Sequence, residues 1–424
     1  MPTRQAAKPG RIIPLPDISR MLTPDRIRRY PLLLLAVTVT MYLVGVARSD
    51  RWIEPNGRII GRDYLAFYMA GDMAGRGHID RLYDPSAQTA YQKRFMRDIN
   101  PQWTGTCLYL NPPHYAWALS FPAALGYGPS LILWWVASIG CFVATVWLWR
   151  RWGSPVRAGA AILLAVCMPA WFWALAGGQN SFFSLLILTV FCTLLIAGRD
   201  AWAGLALSLL AFKFQLLLVP AGLLLFKRRW RALSGLGVGG VLTLALTVAV
   251  FGWHSIADYV ALATQLGRLM QVEGFDVWKQ HSWHGFFALL GQGWMPAGSV
   301  RMLVAAASVL SLVLLGRVWR GAWSSDSPRF ALQLSALMMA TLLTSPHLFH
   351  YDMLIATLPA MLWLRASGDR DVTVASAGFK VLVAAGFVWL AMSGVVADAV
   401  HVQLSPFLML AWLVFVRRVI RTTP

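Results

Sequence analysis

The chain has 424 residues, of which 58% are hydrophobic and 13% charged, and a formal net charge of +19. Apolar runs as long as a bilayer is thick recur along it, which excludes an ordinary soluble domain and defines an all-α integral membrane protein. The excess Lys and Arg sit in short clusters between those runs rather than on one solvated face, so they read as topology signals, and no nucleic-acid partner is expected.

In chain order, residues 1–30 are polar and basic (Arg20, Arg26, Arg28, Arg29) and read as a cytoplasmic leader. A single multi-span membrane domain follows over 31–424, beginning with the apolar run Pro31 to Ala47. Gly45-Val46-Ala47 resembles a cleavage site, but the charged leader is long for a signal peptide, so an uncleaved signal anchor is expected.

The loop from Arg48 to about His114 is predicted to lie outside. Four of the chain's 18 Asp and Glu, Asp63, Asp72, Asp80 and Asp84, crowd into its stretch 61–84. Its pattern predicts an amphipathic helix over Tyr64 to Gly75, with Tyr64, Phe67 and Tyr68 on one face. A turn at Asp84-Pro85 and a second polar helix over Ser86 to Arg97 follow. Both helices are expected on the membrane surface.

Apolar runs follow at roughly 130–149, 157–176, 180–197, 201–226, 232–252, 299–316, 329–344, 351–364, 376–398 and 404–420. Shorter runs at 115–125 and 285–295 are too brief to span comfortably and read as re-entrant or tilted. A second long outer loop, Trp253 to about Trp283, carries the amphipathic stretch SIADYVALATQLGRLM. Cys141, Cys167 and Cys192 fall within apolar segments and leave Cys107 without an obvious partner, so no redox or zinc role follows.

The richest basic clusters are the leader, Arg150-Arg151 with Arg157, Arg199, KRRWR (Lys227 to Arg231), Arg317 with Arg320, Arg365 with Arg370, and Arg417-Arg418-Arg421. All belong inside, which places both termini in the cytoplasm. That arrangement requires 201–226 to be a hairpin of two half-helices broken around FKFQ, with neither short run crossing. All eight histidines (His78, His114, His254, His281, His284, His347, His350 and His401) then lie at or beyond the outer ends of helices. If 115–125 crosses instead, Arg150 and Arg151 face outward and the rule is broken once.

Asp63 stands out among the acids, because it begins a helix at the membrane boundary, where the helix dipole favours an ionised carboxylate. The bland reading is a helix-start acid with no further role. Other polar breaks fall at the same depth. LYLNPPHY offers Asn111 and His114, and AGGQNSFF offers Gln179 and Asn180. LLAFKFQLLL sets Lys213 and Gln215 in an apolar run, where a lysine is expensive unless it meets an anion or snorkels outward. SPHLFHYDML adds His347, His350, Tyr351 and Asp352 where two spans join. Histidine and lysine at this depth suit a phosphate. A divalent metal stays open because His281/His284 and His347/His350 are each three apart, but no Cys or carboxylate completes a ligand set, and no cofactor is expected. No Gly-rich nucleotide cradle is present. An outer-face enzyme must therefore draw its activated group from a lipid carrier, which points to a polyprenyl-phosphate sugar.

The order RDYLAFYMAG, RLYDP, NPPHY, GGQNSFF, an FKxQ break, KRRWR and SPHLFHYD resembles glycosyltransferase family 87, from about Asp63 to about Leu364. The resemblance implies a GT-C-like polytopic helical bundle in the bacterial inner membrane, with a polyprenyl-phosphate sugar as donor. It also implies a catalytic acid at the start of the first outer loop, which Asp63 matches. Relatives of this kind include mannosyltransferases of phosphatidylinositol mannoside assembly and arabinofuranosyltransferases of cell-wall polymers. One departure is FKFQ, where the family commonly shows FKPQ, so that Phe214 replaces a kinking proline.

The expected reaction is an inverting transfer of a hexose or pentose to a lipid- or glycan-linked acceptor hydroxyl on the outer face, with membrane lipids as further partners. Asp63 is the general base. Lys213 and His350, backed by His347 and Arg62, are expected to receive the departing phosphate. Gln179, Asn180, His114 and Gln215 are expected to hold sugar or acceptor hydroxyls, and Tyr64 and Tyr68 to stack on the sugar ring. A transporter or flippase is the alternative from another class, and an outer-face glycan polymerase or ligase is a second.

Overall fold

The computed structural model describes residues 21–50, 52–55, 57–97, 107–152, 159–272, 276–368 and 376–422. Most of the basic leader, together with Arg157 and Arg370, lies outside them.

Among the described residues, five helices are long and apolar enough to cross a membrane. The first, α1 (Pro24–Ala47), is opened by two local signals: the Thr23 hydroxyl accepts from the Arg26 amide, and Pro24 takes a first-turn position where its missing N–H costs nothing. Next come α2 (Tyr64–Gly75), α3 (Pro85–Arg97) and the short α4 (Pro113–Ala123), then the second candidate span, α5 (Tyr127–Arg150). At ~1.5 Å per residue each of the five is about as long as the apolar bilayer core is thick.

The 157–176 run is not one helix. It forms α6 (Gly159–Cys167) and α7 (Pro169–Gly177), separated at Met168, whose ψ of 128° is extended. A proline disfavours helical geometry at the residue before it, and Pro169 has that effect here. An apolar helix, α8 (Ser181–Ile196), follows.

The 201–226 run is broken as the charge pattern requires. It consists of α9 (Asp200–Ser208), a 3-10 segment at Leu209–Leu216 and α10 (Leu218–Phe226), bent by 117°. The break is centred on Lys213, whose φ/ψ of −138°/56° is not helical. Phe214 supplies no kink of its own. Instead Asn111 Nδ2 donates to the Phe212 carbonyl at 3.0 Å, and the Tyr115 ring stacks on Phe212 with centroids 4.9 Å apart. A carbonyl released by the broken helix is thus satisfied from the NPPHY segment, which does the work a proline does elsewhere.

The chain continues through α11 (Trp230–Phe251), α12 (His254–Val272), α13 (Trp283–Leu290), α14 (Ala297–Val318), α15 (Pro328–Leu343), a 3-10 turn at His350–Ala356, α16 (Thr357–Ser367), α17 (Ala377–Val400) and α18 (Ser405–Thr422). Here α11, α14 and α17 complete the five candidate spans. The α9/α11 pair approaches closely because a Cβ at Gly204 would meet the Ala232 carbonyl oxygen at 1.7 Å, and one at Gly235 the Ala201 oxygen at 1.9 Å. Small residues at facing positions are how helices pack where lipid offers no hydrophobic drive.

Two cores result. One is built from α8, α15, α16 and α18; the other is an aromatic cluster of α2, α4 and α5 around Tyr64, Phe67, Tyr68, Tyr127 and Trp134. The predicted helix over Tyr64 to Gly75 forms with the expected bounds, but it is not a surface helix. Nine of its residues are buried, including Leu65, Met69 and Ala70 on faces away from the aromatics. The polar helix α3 covers it, and Tyr91 on α3 donates to Asp72 Oδ2 at 2.7 Å.

Candidate active site

The acids of the first loop separate by environment. Asp72 pairs with Arg76 and receives Tyr91, Asp84 Oδ1 accepts from the Ser86 amide at 2.8 Å at the start of α3, and Asp80 is exposed. All three have ordinary structural or solvated roles. Asp63 differs. It caps the start of α2 without a capping hydrogen bond from its side chain, and its amide donates to the Gly177 carbonyl at 3.1 Å.

That contact explains the glycines of AGGQN. A Cβ at Gly177 would lie 3.0 Å from Asp63 Oδ2, and one at Gly178, whose φ is +70°, would lie 2.6 Å from the Tyr64 Cβ. The turn must lack side chains at both positions for the carboxylate to seat against it. Gln179 follows, within hydrogen-bonding reach of the Asp63 carboxylate. Burial raises the Asp63 proton affinity above the ordinary carboxylate range, opposed by Gln179, Arg62 and Lys279. The helix start alone therefore does not set its charge.

The next residues of the same turn hold a second carboxylate. Lys213 Nζ donates to Asn180 Oδ1 at 3.0 Å and forms a buried ion pair with Asp352, whose Oδ1 also accepts from the Ser181 hydroxyl at 2.6 Å. Lys213 also lies 5.7 Å from the centre of the Tyr351 ring. Three non-adjacent segments, AGGQNS, FKFQ and FHYD, thus converge. Lys213, expected to await a phosphate, already has its anion in Asp352.

The loop before α13 closes the opposite side. The His281 amide donates to the Leu348 carbonyl at 2.8 Å, and Gln280 bridges to Phe349 in antiparallel fashion. This places Lys279 where its charge acts on both Asp63 and His350. Its ammonium pairs with Asp276 at 2.5 Å on the exposed side.

Several expected roles change in this setting. Burial pushes His350 down to about 3, aided by His281 and Lys279, and His347 down to about 4, aided by His284. Burial thus favours their neutral forms, and each neutral ring still has one N–H to donate. Their Nδ1 atoms are buried without a protein partner. The rings of Tyr64 and Tyr68 are covered by Trp134, Tyr127 and Phe95 and belong to the aromatic core, so neither face is open to a sugar. Tyr64 in addition shares a hydrogen bond with Ser130. Neither His114, which burial pushes down to about 4, nor Gln215 makes a side-chain hydrogen bond among the described residues. Arg62 is exposed.

His284 and His347 face each other with ring centroids 6.0 Å apart, but His284 Nδ1 is engaged by Gln280 and His281 Nδ1 by Ser405. Among the described residues no three His, Cys, Asp or Glu come together as a metal-binding group.

Lys279 and Asp352 had no role assigned from the sequence. Asp352 carried a usable signal, since it is an acid in an apolar segment and Lys213 was a buried cation in need of one. Lys279 carried none beyond its place beside His281.

The class defined by this architecture is an all-α multi-span membrane protein with a polar centre where broken helices and long loops meet. The model of glycosyltransferase family 87 matches residues 109–346, more than half of the chain, and the chain belongs to that family. It is a membrane glycosyltransferase. The matched span contains His114, Gln179, Asn180, Lys213 and Gln215, whereas Arg62, Asp63, His347, His350 and Asp352 lie outside it. No curated protein and no solved structure matches the chain.

Proposed function

We propose that this glycosyltransferase moves a hexose or pentose from a polyprenyl-phosphate donor to an acceptor hydroxyl at the outer face of the inner membrane, in a single inverting step of GT-C type. Asp63 takes the acceptor proton as that oxygen attacks the anomeric carbon, and the polyprenyl phosphate departs with the electrons of the broken glycosidic bond. One carboxylate suffices, because no covalent sugar intermediate forms.

The observation that carries this reading is the seating of Asp63 against Gly177–Gln179 with its proton affinity raised by burial, since a general base works best when its pKa approaches the working pH. Arg62 and Lys279, the two cations acting on Asp63, are the best placed to meet the developing phosphate charge. The neutral rings of His347 and His350 add hydrogen-bond donors. Lys213 acts through Asn180 and Asp352 to hold the turn, and Gln179 orients Asp63. His114 and Gln215 remain available to sugar or acceptor hydroxyls.

An apolar cavity of about 130 Å³ opens between α6, α15, α16, α17 and α18, lined by Met168, Met353, Met361 and Met409 among others, and is suited to part of an isoprenoid tail. Flexible thioether side chains adapt to such a chain.

The test is to incubate the purified protein with polyprenyl-phosphate sugars and an acceptor extract, and to measure released polyprenyl phosphate and the mass of the product. Asp63→Asn should reduce transfer by roughly 10²- to 10⁴-fold, as expected for loss of a general base. Turnover near the parent rate in that variant removes Asp63 from the reaction.

A further inference from the structure

At the other end of the bundle, five arginines converge on one cleft of about 360 Å³: Arg317 and Arg320 from the end of α14, Arg329 from the start of α15, and Arg417 and Arg421 from the end of α18. The remaining lining is apolar, from Val318 and Ile420. Two of the three helices turn their opposite ends toward the polar centre: α15 leads into the His347 loop, and Ser405 at the start of α18 bonds His281. This cleft is therefore separate from the site around Asp63, and its role is independent of the function proposed there.

Two arginines elsewhere in the molecule pair with carboxylates, Arg229 with Asp200 and Arg76 with Asp72. None of the five forms an ion pair among the described residues. They act on one another instead, because the charges of Arg421, Arg317 and Arg320 all repel that of Arg417. Charge at the end of a span is sufficient to set topology wherever it points. Topology does not require positions about 100 residues apart in sequence to face a common space. Collecting like charges around a cavity is unfavourable unless an anion fills it, and guanidinium forks match phosphate oxygens in pairs.

The surroundings indicate what kind of anion. Along the outer flank of α14 the large apolar side chains Val309, Leu310, Leu312 and Val313 are exposed, so that lipid chains reaching the cleft have an apolar path beside it. Basic pockets between spans at the headgroup level suit anionic lipid heads. We propose that this cleft binds the headgroup of an anionic phospholipid, preferentially one carrying two phosphates, with its acyl chains on the exposed flank of α14.

Native mass spectrometry of the full-length protein in detergent tests this, with tetraoleoyl cardiolipin, phosphatidylcholine of matched chains and inorganic pyrophosphate as probes. Cardiolipin should be retained at least tenfold better than phosphatidylcholine. The triple variant Arg317→Gln, Arg417→Gln, Arg421→Gln should lose that preference, while the charge-matched Arg150→Gln, Arg231→Gln, Arg418→Gln should keep it. A triple Arg→Lys variant, which keeps the charge without the planar fork, should fall between them, and unfolding midpoints show that each variant is folded. Equal retention of both lipids, or a preference that survives the cleft substitutions and their lysine counterparts, overturns the proposal. Binding of pyrophosphate without lipid preference assigns the cleft to a soluble anion and overturns it equally.

Discussion

One turn, AGGQNS, handles two carboxylates in opposite ways. Asp352 is given a full charge of opposite sign, Lys213, and two neutral hydrogen-bonding groups around the pair, Asn180 and Ser181. Asp63 is given only the neutral Gln179 in close reach, with Arg62 and Lys279 acting at longer range, and burial holds its proton affinity up. A buried acid paired with a cation fixes structure; a half-buried acid left short of compensation stays able to exchange a proton.

The sharpest way to break this contrast is to neutralise each acid in turn. Asp63→Asn should lose roughly 10²- to 10⁴-fold in transfer with no loss of unfolding midpoint, and equal losses of folding and activity would merge the two acids into one role. Asp352→Ala should do the reverse. It leaves the Lys213 ammonium buried without its counter-ion, at a cost of about 3–5 kcal/mol read as a lower unfolding midpoint in detergent. Replacing the pair with Lys213→Met and Asp352→Leu should recover much of that stability, because apolar partners of similar size remove the unpaired charge.

A smaller effect is expected at Lys279. Lys279→Gln removes a cation that favours the ionised form of Asp63, so the acidic limb of the pH–rate profile should move upward, with transfer falling roughly tenfold, or about 1.4 kcal/mol. A decrease in rate with the limb unmoved would assign Lys279 to substrate binding alone.

The smallest effect concerns stability against pH. Because Asp63 has a raised folded-state proton affinity, its contribution is fully present below the ordinary carboxylate range and is lost as pH rises through its folded value. Asp63→Asn should therefore match the parent in acid and become the more stable of the two toward neutral pH. Comparing unfolding midpoints across that window checks the sign.

Five of the predicted spans, the break at FKFQ and the helix over Tyr64 to Gly75 were legible, since run length, a lysine inside an apolar stretch and helical spacing are local quantities. Pro169 is equally local, yet 157–176 reads as one run, because its hydrophobicity continues through the break. The aromatic face of α2 was also legible, but not its destination. Periodicity marks a face as apolar without saying whether lipid, a ligand or another helix covers it, and here Trp134 and Tyr127 do. The histidines misled for a related reason: residue type suggests charge, while burial at His350 and His347 removes it.

What the sequence alone determined is that the chain crosses a membrane many times, where most of its apolar runs fall, and which polar residues interrupt them. Which of those residues meet was decided only by the tertiary structure. Lys213 and Asp352 are 139 positions apart, and Lys279 reaches the vicinity of Asp63 only because the backbones of His281 and Leu348 are bonded. Composition records that a buried charge needs a partner; selecting one depends on three-dimensional proximity, which no local pattern encodes.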